Sequence, residues 1–277
     1  MQFYSPIQFL HKKIKKKYEK FISRRMNERI PCYLGLSPSS SILKDDFFIV
    51  GYPKSGNTWF QNIIAGIVYG INPELVPDSL TQEIIPDLHR KKFFKRIQTP
   101  MFFKTHNLPR CEYRKVIYLL RDGRDVMVSY YHYNTAIYGK SVSMNSMIVK
   151  MENIFPCQWH EHVEKWSKNP FGAQIILVKY EELLNKPLET LLKVSLFIGV
   201  ERDEAQLMRV YEQCSFNKLQ KREIKTGLDD SSWPNDKLFF RRGKVGSHLD
   251  DDEMSPENLQ KFMHIAENTL RKNGYLS

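Results

Sequence analysis

The segment from residue 46 to residue 69 constrains the fold more than any other part of this sequence. Residues 46–51 (DFFIVG) are a short apolar run typical of a buried parallel strand, and residues 58–69 (TWFQNIIAGIVY) have the pattern of a largely apolar helix. A turn from a strand into a helix aims backbone N–H groups and the positive end of the helix dipole at an anion. The segment therefore predicts an α/β fold with a strand–turn–helix corner at which an anion can bind.

The same alternation of apolar strand and helix recurs along the chain. Residues 101–104, 115–120 and 174–178 indicate further short strands, with helices over residues 125–134 and from the last strand to residue 197 or so. Such alternation implies βαβ units. We predict an α/β, P-loop-like three-layer fold with a central parallel sheet flanked by helices, and ligands at the carboxyl ends of the strands.

The chain divides into a basic arm and one large domain. The formal net charge is +11, and much of the excess lies in residues 11–25 (HKKIKKKYEKFISRR), whose apolar residues recur near helical spacing. We predict an arm over residues 1–34, a single domain over residues 35–277 and a connecting Ser/Pro-rich loop over residues 35–44. A basic amphipathic helix in the arm fits a solvated surface helix best, with peripheral contact of residues 9–25 with a membrane or polyanion as the alternative.

The cysteines and the apolar runs bear on location and on metals. The four cysteines show no CxxC pair and no metal-ligand spacing: Cys32, Cys111, Cys157 and Cys214. No apolar run approaches the ~18 residues of a membrane span, and the N-terminus lacks a signal-peptide core. We expect reduced thiols, a cytoplasmic protein without a membrane span, and no bound metal. The acidic run at residues 250–252 is expected to face solvent.

The turn at residues 52–59 (YPKSGNTW) is not the usual nucleotide P-loop. Its lysine precedes the glycine instead of following it, and no obvious pair of metal-holding acids lies nearby. A phosphate-binding turn and a plain strand–turn–helix corner closed by Gly56 are equally good interpretations of this segment taken alone.

Four motifs resemble those of the sulfotransferase family, in the family's order and spacing. Residues 53–59 (PKSGNTW) resemble its 5′-phosphosulfate-binding signature, and residues 103–106 (FKTH) match the segment that holds its catalytic base. Residues 121–131 (RDGRDVMVSYY) resemble its 3′-phosphate-binding segment, and residues 239–246 (FFRRGKVG) resemble its C-terminal RKGxxG loop. The resemblance covers residues 47–246 and is highly specific, because chance rarely places four such motifs in order.

The resemblance implies an enzyme that moves a sulfuryl group from 3′-phosphoadenosine 5′-phosphosulfate (PAPS) to a small-molecule acceptor, leaving PAP. His106 is implied as the general base, since an unperturbed pKa near ~6.5 gives it a neutral form at cellular pH. Lys54 is implied to assist the leaving 5′-phosphate, and Lys104 to stabilise the sulfuryl oxygens. This is the logic of phosphoryl transfer without magnesium.

The resemblance also implies a set of nucleotide contacts. The 5′-phosphate is expected on the turn, at Lys54, Ser55, Gly56, Asn57 and Thr58. The 3′-phosphate is expected on two separate segments, at Arg121, Ser129, Arg241, Arg242 and Gly243, with Phe240 in the same loop. Adenine is expected on aromatic rings, at Trp59, Tyr180 and Phe216.

Several points stay open at the level of sequence. Asn57 stands where the family often has Thr, and the segment after Gly246 departs from the family's usual continuation. The acceptor is a phenol, an alcohol, a steroid-like molecule, an amine or a guanidine, in a pocket with walls expected from residues 78–95, 133–152 and 221–238. The oligomeric state is open. The alternatives are a P-loop small-molecule kinase that uses ATP and magnesium, and a non-catalytic protein that binds nucleic acid or membrane through its basic arm; we expect no nucleic acid partner.

Overall fold

A computed structural model describes residues 34–230, 232–234 and 236–276. The basic arm predicted over residues 1–34, with its helix, lies outside the described residues except for Leu34. The division into an arm and a single domain, and the surface contact of the arm, therefore stay predictions.

A four-stranded parallel sheet forms the centre of the described chain. The residues that the structure describes form six strands, in chain order β1 (Leu36–Pro38), β2 (Phe47–Gly51), β3 (Phe93–Lys95), β4 (Phe102–Thr105), β5 (Lys115–Leu120) and β6 (Gln174–Lys179). The sheet has the order β4-β2-β5-β6, and all three pairings in it are parallel. The carboxyl ends of the four strands therefore meet at one edge, which is where the first three of the four sequence motifs lie.

Helices cover both faces of the sheet. In chain order they are α1 (Asn57–Tyr69), α2 (Asp78–Ile84), α3 (Gly123–Tyr138), α4 (Met144–Lys150), α5 (Trp159–Lys168), α6 (Tyr180–Asn185), α7 (Pro187–Ile198), α8 (Glu204–Gln213), α9 (Phe216–Thr226) and α10 (Pro256–Lys272), with short 3₁₀ turns at Gly139–Ser141 and Ser247–Leu249. Phe48 and Val50 of β2 pack into one core with α3, α4, α5 and α10. Phe47 and Ile49 pack into a second core with α1, α6, α7 and α8. Because alternate strand residues point to opposite faces, the fold has three layers, as predicted.

Two local expectations were wrong. The helix expected from the last strand to about residue 197 is two helices, α6 and α7, which meet at Lys186. Pro187 explains the break, because proline lacks the N–H that a continuous helix needs and fits the first helical position. The loop expected over residues 35–44 contains β1, which pairs antiparallel with β3. Strands of three residues are too short to show a periodicity in sequence.

The acidic run at residues 250–252 does not face solvent throughout. The Asp250 side chain is 61% exposed, but that of Asp251 is 5% exposed. The difference arises because Asp251 accepts a hydrogen bond from His132 Nε2 at 2.8 Å. No helix in the described part of the chain is long and apolar enough to cross a membrane.

Candidate active site

The turn after β2 has left-handed backbone at two positions. Lys54 has φ of +70° and Gly56 has φ of +92°. Asn57 holds the turn from inside, because its Nδ2 donates to the Tyr52 carbonyl oxygen at 2.9 Å. A Cβ at Gly56 would lie 2.8 Å from the Tyr180 ring, so the close packing of that ring requires glycine. Helix α1 begins directly after the turn, and its first N–H groups have no partner within the helix.

The end of β4 carries a buried ion pair. Lys104 Nζ lies 2.9 Å from Asp87 Oδ2, and both side chains are buried. The backbone places the acid there, because Lys104 N donates to the Pro86 carbonyl oxygen and Leu88 N donates to that of Lys104, both at 2.9 Å. Burial alone would raise the pKa of Asp87, but the positive charge of Lys104 and the hydrogen bonds that the carboxylate accepts together outweigh it, and the pKa lies below its usual range. The Asp87 carboxylate is therefore ionised.

His106 lies two residues beyond Lys104, and the structure defines its tautomer. Its Nδ1 is 2.7 Å from the Gly51 carbonyl oxygen, which only accepts hydrogen bonds, so Nδ1 carries the proton. Burial lowers the pKa of His106 to about 4, and the charge of Lys104 acts in the same direction. At neutral pH the ring is therefore uncharged, with the lone pair on Nε2.

Lys54 lies among other cations and against two aromatic rings. Its Nζ is 3.9 Å from the centroid of the Phe239 ring and 4.6 Å from that of Tyr133. Burial, and to a smaller extent the charges of Lys104 and Arg121, lower the pKa of Lys54 to about 7. An anion bound nearby would favour the charged form of Lys54.

Arg121 follows β5 and joins the turn to a loop near the C-terminus. Its Nη1 donates to the Lys54 carbonyl oxygen at 3.2 Å, and its Nη2 donates to that of Lys244 at 3.1 Å. The guanidinium also lies over the Tyr180 ring, 4.4 Å from the centroid. The buried Nε atom has no hydrogen-bond partner among the residues that the structure describes. A buried guanidinium with an unused donor is suited to an anionic ligand.

The loop that Arg121 contacts is held at both of its ends. On one side, Glu223 of α9 accepts a hydrogen bond from Phe240 N at 3.1 Å. On the other, Asp125 of α3 accepts from Gly246 N at 2.8 Å and from His248 Nδ1 at 2.7 Å. The loop is thereby fixed against α3 and α9.

The loop also brings two more arginines towards Arg121. Burial lowers the pKa of Arg241, and the charges of Arg242 and Arg121 lower it further. Gly243 has φ of +61°, and a Cβ there would overlap the Phe216 ring. The loop therefore packs on Phe216 and gathers positive charge at one place.

Aromatic side chains form the wall beside the turn. The Trp59 and Tyr180 rings meet edge to face with centroids 5.4 Å apart, and Trp59 Nε1 donates to the Cys214 carbonyl oxygen at 2.9 Å. Tyr211 packs on the other side of Trp59 at 6.1 Å. These rings are held in place and present apolar surface to the cavity.

All of these parts line one open cavity of about 700 Å³. It brings together the predicted site residues Lys54, Gly56, Asn57, Thr58, Trp59, Lys104, His106, Arg121, Ser129, Tyr180, Phe216, Phe240, Arg241, Arg242 and Gly243. Ser55 differs from our expectation, because its side chain is buried behind the turn and its N–H donates to the Tyr52 carbonyl oxygen at 3.1 Å. The rest of the cavity wall, which we call its far end, is formed by Asp87, His89, Arg90, Tyr130, Tyr133, Phe155, Asp229, Asp230, Ser232 and Phe239.

Residues 44–274 match the model of the sulfotransferase domain family. The chain belongs to the sulfotransferase family. Among curated relatives it is similar to Sulfotransferase 1B1 of Mus musculus, with 28% identity over 73% of this chain and 75% of that protein. It is also similar to the Amine sulfotransferase of Oryctolagus cuniculus, with 24% identity over 83% of this chain and 82% of that protein. The expected enzyme class, a PAPS-dependent sulfotransferase, is confirmed.

Solved structures confirm the fold of this sulfotransferase. A mouse sulfotransferase complexed with PAP superposes with a TM-score of 0.60 and 20% identity, covering 83% of this chain and 84% of that one. A retinol dehydratase in a complex with retinol and PAP superposes with a TM-score of 0.61 and 20% identity, covering 80% and 81%. The α/β prediction is confirmed, and membership of this family does not favour the kinase alternative.

Sequence reasoning missed several residues of this sulfotransferase's cavity. Asp87 and Asp230 lie within the walls that we expected, but nothing in the sequence marked them as partners of Lys104 and Arg90. Phe155 lies outside the expected walls altogether. Within the residues that the structure describes, no group of three or more His, Cys, Asp and Glu side chains is arranged to hold a metal ion.

Proposed function

We propose that this sulfotransferase moves the sulfuryl group of PAPS to a hydroxyl, amine or guanidine of a small-molecule acceptor, with His106 as general base. One observation carries the proposal: His106 lines the same cavity as Lys54 and Lys104, with its Nδ1 proton held by the Gly51 carbonyl oxygen. A neutral imidazole with its Nε2 lone pair free is the form that a general base needs.

The residues present fit a nucleotide with two phosphate groups. The turn after β2 offers the first N–H groups of α1 and the positive end of its dipole to the 5′-phosphate. Arg121, Arg241 and Arg242 would bind the 3′-phosphate, and the unpartnered Nε of Arg121 supports an anion there. Ser129 and Gly243 line the same cavity, and the resemblance implies the same role for them. Trp59, Tyr180 and Phe216 supply the aromatic surface on which we place adenine, with Phe240 behind Phe216.

The reaction would proceed as one displacement at sulfur. The acceptor oxygen or nitrogen forms a bond to sulfur and gives its proton to His106 Nε2. The bond between sulfur and the bridging oxygen breaks, and its electron pair stays on the 5′-phosphate of PAP. Lys54, whose charged form the bound phosphosulfate favours, would donate to that bridging oxygen as charge develops on it.

Lys104 would stabilise the oxygens of the transferring group. Its ammonium is held by Asp87 at 2.9 Å and lies 3.4 Å from Thr58 Oγ1, on the first turn of α1. Because Thr58 belongs to the proposed 5′-phosphate site, this contact supports a position of the Lys104 charge beside the phosphosulfate. Asp87 would fix the direction of that charge.

The far end of the cavity would receive the acceptor. Its walls include the rings of Tyr133 and Phe239. Trp233 supports both rings, because it stacks on Tyr133 with centroids 5.4 Å apart and meets Phe239 edge to face at 5.4 Å. An aromatic pocket of this kind supports a small, largely apolar acceptor. Relatives of this chain are named for amine and flavonol sulfation, and a neighbouring structure holds retinol.

The proposal is tested by incubating the protein with ³⁵S-labelled PAPS and a library of phenols, alcohols, steroids, amines and guanidines. We expect label to pass to at least one acceptor class, and His106→Ala to abolish the transfer. Transfer that His106→Ala leaves intact would reject the proposed base. Label released only as inorganic sulfate with every acceptor class would reject a small-molecule transferase.

A further inference from the structure

Asp251 lies in the segment that departs from the family's usual sequence after Gly246. Its Oδ2 accepts a hydrogen bond from His132 Nε2 of α3 at 2.8 Å. Its carbonyl oxygen accepts from Met254 N at 3.0 Å, which closes a turn and fixes the backbone. The carboxylate is therefore held in a defined, buried position, while its neighbour Asp250 lies in solvent.

The same Oδ2 atom faces the arginines of the proposed 3′-phosphate site. It lies 3.7 Å from Arg242 Nη1 and 4.0 Å from Arg241 Nη1. These distances are too long for hydrogen bonds, so Asp251 supplies negative charge without fixing the orientation of either guanidinium. Its hydrogen bond goes to His132 instead, which leaves the donors of both arginines available for a ligand.

We propose that Asp251 is a specificity-determining residue. Its charge weakens the binding of the 3′-phosphate to Arg241 and Arg242 and so speeds the release of PAP. The inference rests on the proposed function, in which these arginines bind that phosphate. A phosphate placed on the two guanidiniums shares them with the Asp251 carboxylate, and the two anions repel each other. Because the carboxylate is buried, water and salt screen this repulsion poorly.

The effect would depend on the 3′-phosphate and not on the rest of the nucleotide. PAP and PAPS both carry this phosphate. Arg241 and Arg242 without an opposing charge would therefore bind the product as tightly as the substrate. Changes in affinity at one site usually arise from the dissociation rate. Asp251 would therefore act on product release, and nucleotides that lack the 3′-phosphate would not sense it.

The test compares two nucleotides on three proteins by calorimetry. PAP and 5′-AMP, which lacks the 3′-phosphate, are titrated into wild type, Asp251→Asn and Asp252→Asn. Asparagine keeps the shape of Asp251 and its acceptor for His132, but it removes the charge. Asp252 is exposed in the same turn, so Asp252→Asn is a control that removes the same charge from the same loop.

We expect Asp251→Asn to bind PAP about tenfold more tightly, equivalent to ~1.4 kcal/mol, with its AMP affinity unchanged. Stopped-flow displacement should show PAP dissociating about tenfold more slowly from this variant. Asp252→Asn should alter neither affinity by more than about twofold, because an exposed charge is screened. Unchanged AMP binding also shows that the variant is folded.

Two results would overturn the inference. Weaker PAP binding by Asp251→Asn, with AMP unchanged, would show that Asp251 orients the arginines instead of opposing the phosphate. Equal changes for PAP and AMP would show that it acts through the fold of the loop. A different failure is also recognisable: wild type that binds PAP no better than AMP would reject the proposed 3′-phosphate site itself, and the role of Asp251 with it.

Discussion

The two ends of the cavity are built in different ways. At the nucleotide end, positive groups converge: the start of α1, and the guanidiniums of Arg121, Arg241 and Arg242. At the acceptor end, the cation Arg90 is paired with Asp230 at 2.6 Å, and Lys104, at the boundary with the nucleotide end, is paired with Asp87 at 2.9 Å. Tyr133 and Phe239 add aromatic rings to the lining of the cavity.

The difference indicates how each ligand is selected. An excess of positive charge attracts a polyanionic nucleotide by electrostatics, largely independent of fine shape. An acceptor end with balanced charges offers shape and apolar surface, so small changes in its side chains would alter the acceptor. Lys54 and His106 lie between the two ends, because one would act on the leaving phosphate and the other on the acceptor. If the two ends act separately, a substitution at one end should alter nucleotide binding or acceptor activation, but not both.

The largest effect is expected from His106, on the acceptor side of that boundary. His106→Ala should lower kcat by about 10²–10⁴-fold, the usual loss for a general base. The affinity for PAP should stay within a few-fold, because His106 is proposed to act on the acceptor and not on the nucleotide. Single-turnover rates and calorimetry measure the two quantities. His264→Ala is the matched control, since His264 is exposed on α10. A variant that kept more than about a tenth of wild-type turnover would reject His106 as the base.

The next effect is expected from Lys54, which would act on the leaving group and not mainly on binding. Lys54→Met should lower kcat by about 10²–10³-fold, as removal of one electrostatic donor usually does, and raise KM for PAPS much less. The reason is that the start of α1 already attracts the 5′-phosphate, while the charge on the bridging oxygen develops only in the transition state.

Lys54→Arg separates this role from simple attraction. A planar guanidinium should restore charge but not a point donor aimed at one oxygen, so we expect partial rescue of kcat. Steady-state kinetics with varied PAPS would decide the matter. Normal kcat with a raised KM for PAPS in Lys54→Met would show that Lys54 acts in PAPS binding. Lys54 would then belong to the nucleotide end of the cavity.

The sequence predicted the nucleotide end far better than the acceptor end, and the structure explains why. Lys54, Gly56 and Thr58 belong to one contiguous turn, and the backbone requirement at Gly56 is local. Short apolar runs likewise predicted β2, β4 and β5 closely, because strands buried on both faces of a parallel sheet are continuous apolar segments.

Other features depend on packing between distant segments. Asp87 meets Lys104 because a loop pairs with the edge of β4, and Asp251 is buried because His132 of α3 contacts it. No sequence motif predicts either contact. The short strands β1 and β3 were missed for a related reason, since each exists only through its partner. The roles of the site residues stay predictions, although the cavity brings nearly all of them together.

A smaller effect is expected at the 3′-phosphate and tests the nucleotide end alone. Arg121→Ala and Ser129→Ala should weaken PAPS more than adenosine 5′-phosphosulfate, because only PAPS has the 3′-phosphate. Loss of a hydrogen bond to a charged group should weaken PAPS by roughly 1.5–3 kcal/mol. Ser129→Ala is the cleaner variant, because Arg121 also holds the carbonyl oxygens of Lys54 and Lys244. Equal weakening of both nucleotides by Ser129→Ala would place that residue elsewhere.

The smallest effect concerns pH and follows from the partial burial of His106 in the cavity wall. A histidine with the ordinary pKa of ~6.5 is about three-quarters protonated at pH 6, so a base of that kind would lose about fourfold in rate between pH 8 and pH 6. Burial lowers the pKa of His106 to about 4, and lowering the pKa enlarges the neutral, active fraction. We therefore expect kcat/KM for a non-ionising acceptor, at saturating PAPS, to stay flat down to about pH 5. Saturating PAPS keeps Lys54 charged, which removes its own titration near pH 7 from the profile.

An NMR titration of the His106 ring, assigned with His106→Gln, measures the same pKa directly. If the ring titrated near ~6.5 while the rate still stayed flat, proton transfer to His106 would not limit turnover, and acceptor activation would have to be sought elsewhere at that end of the cavity.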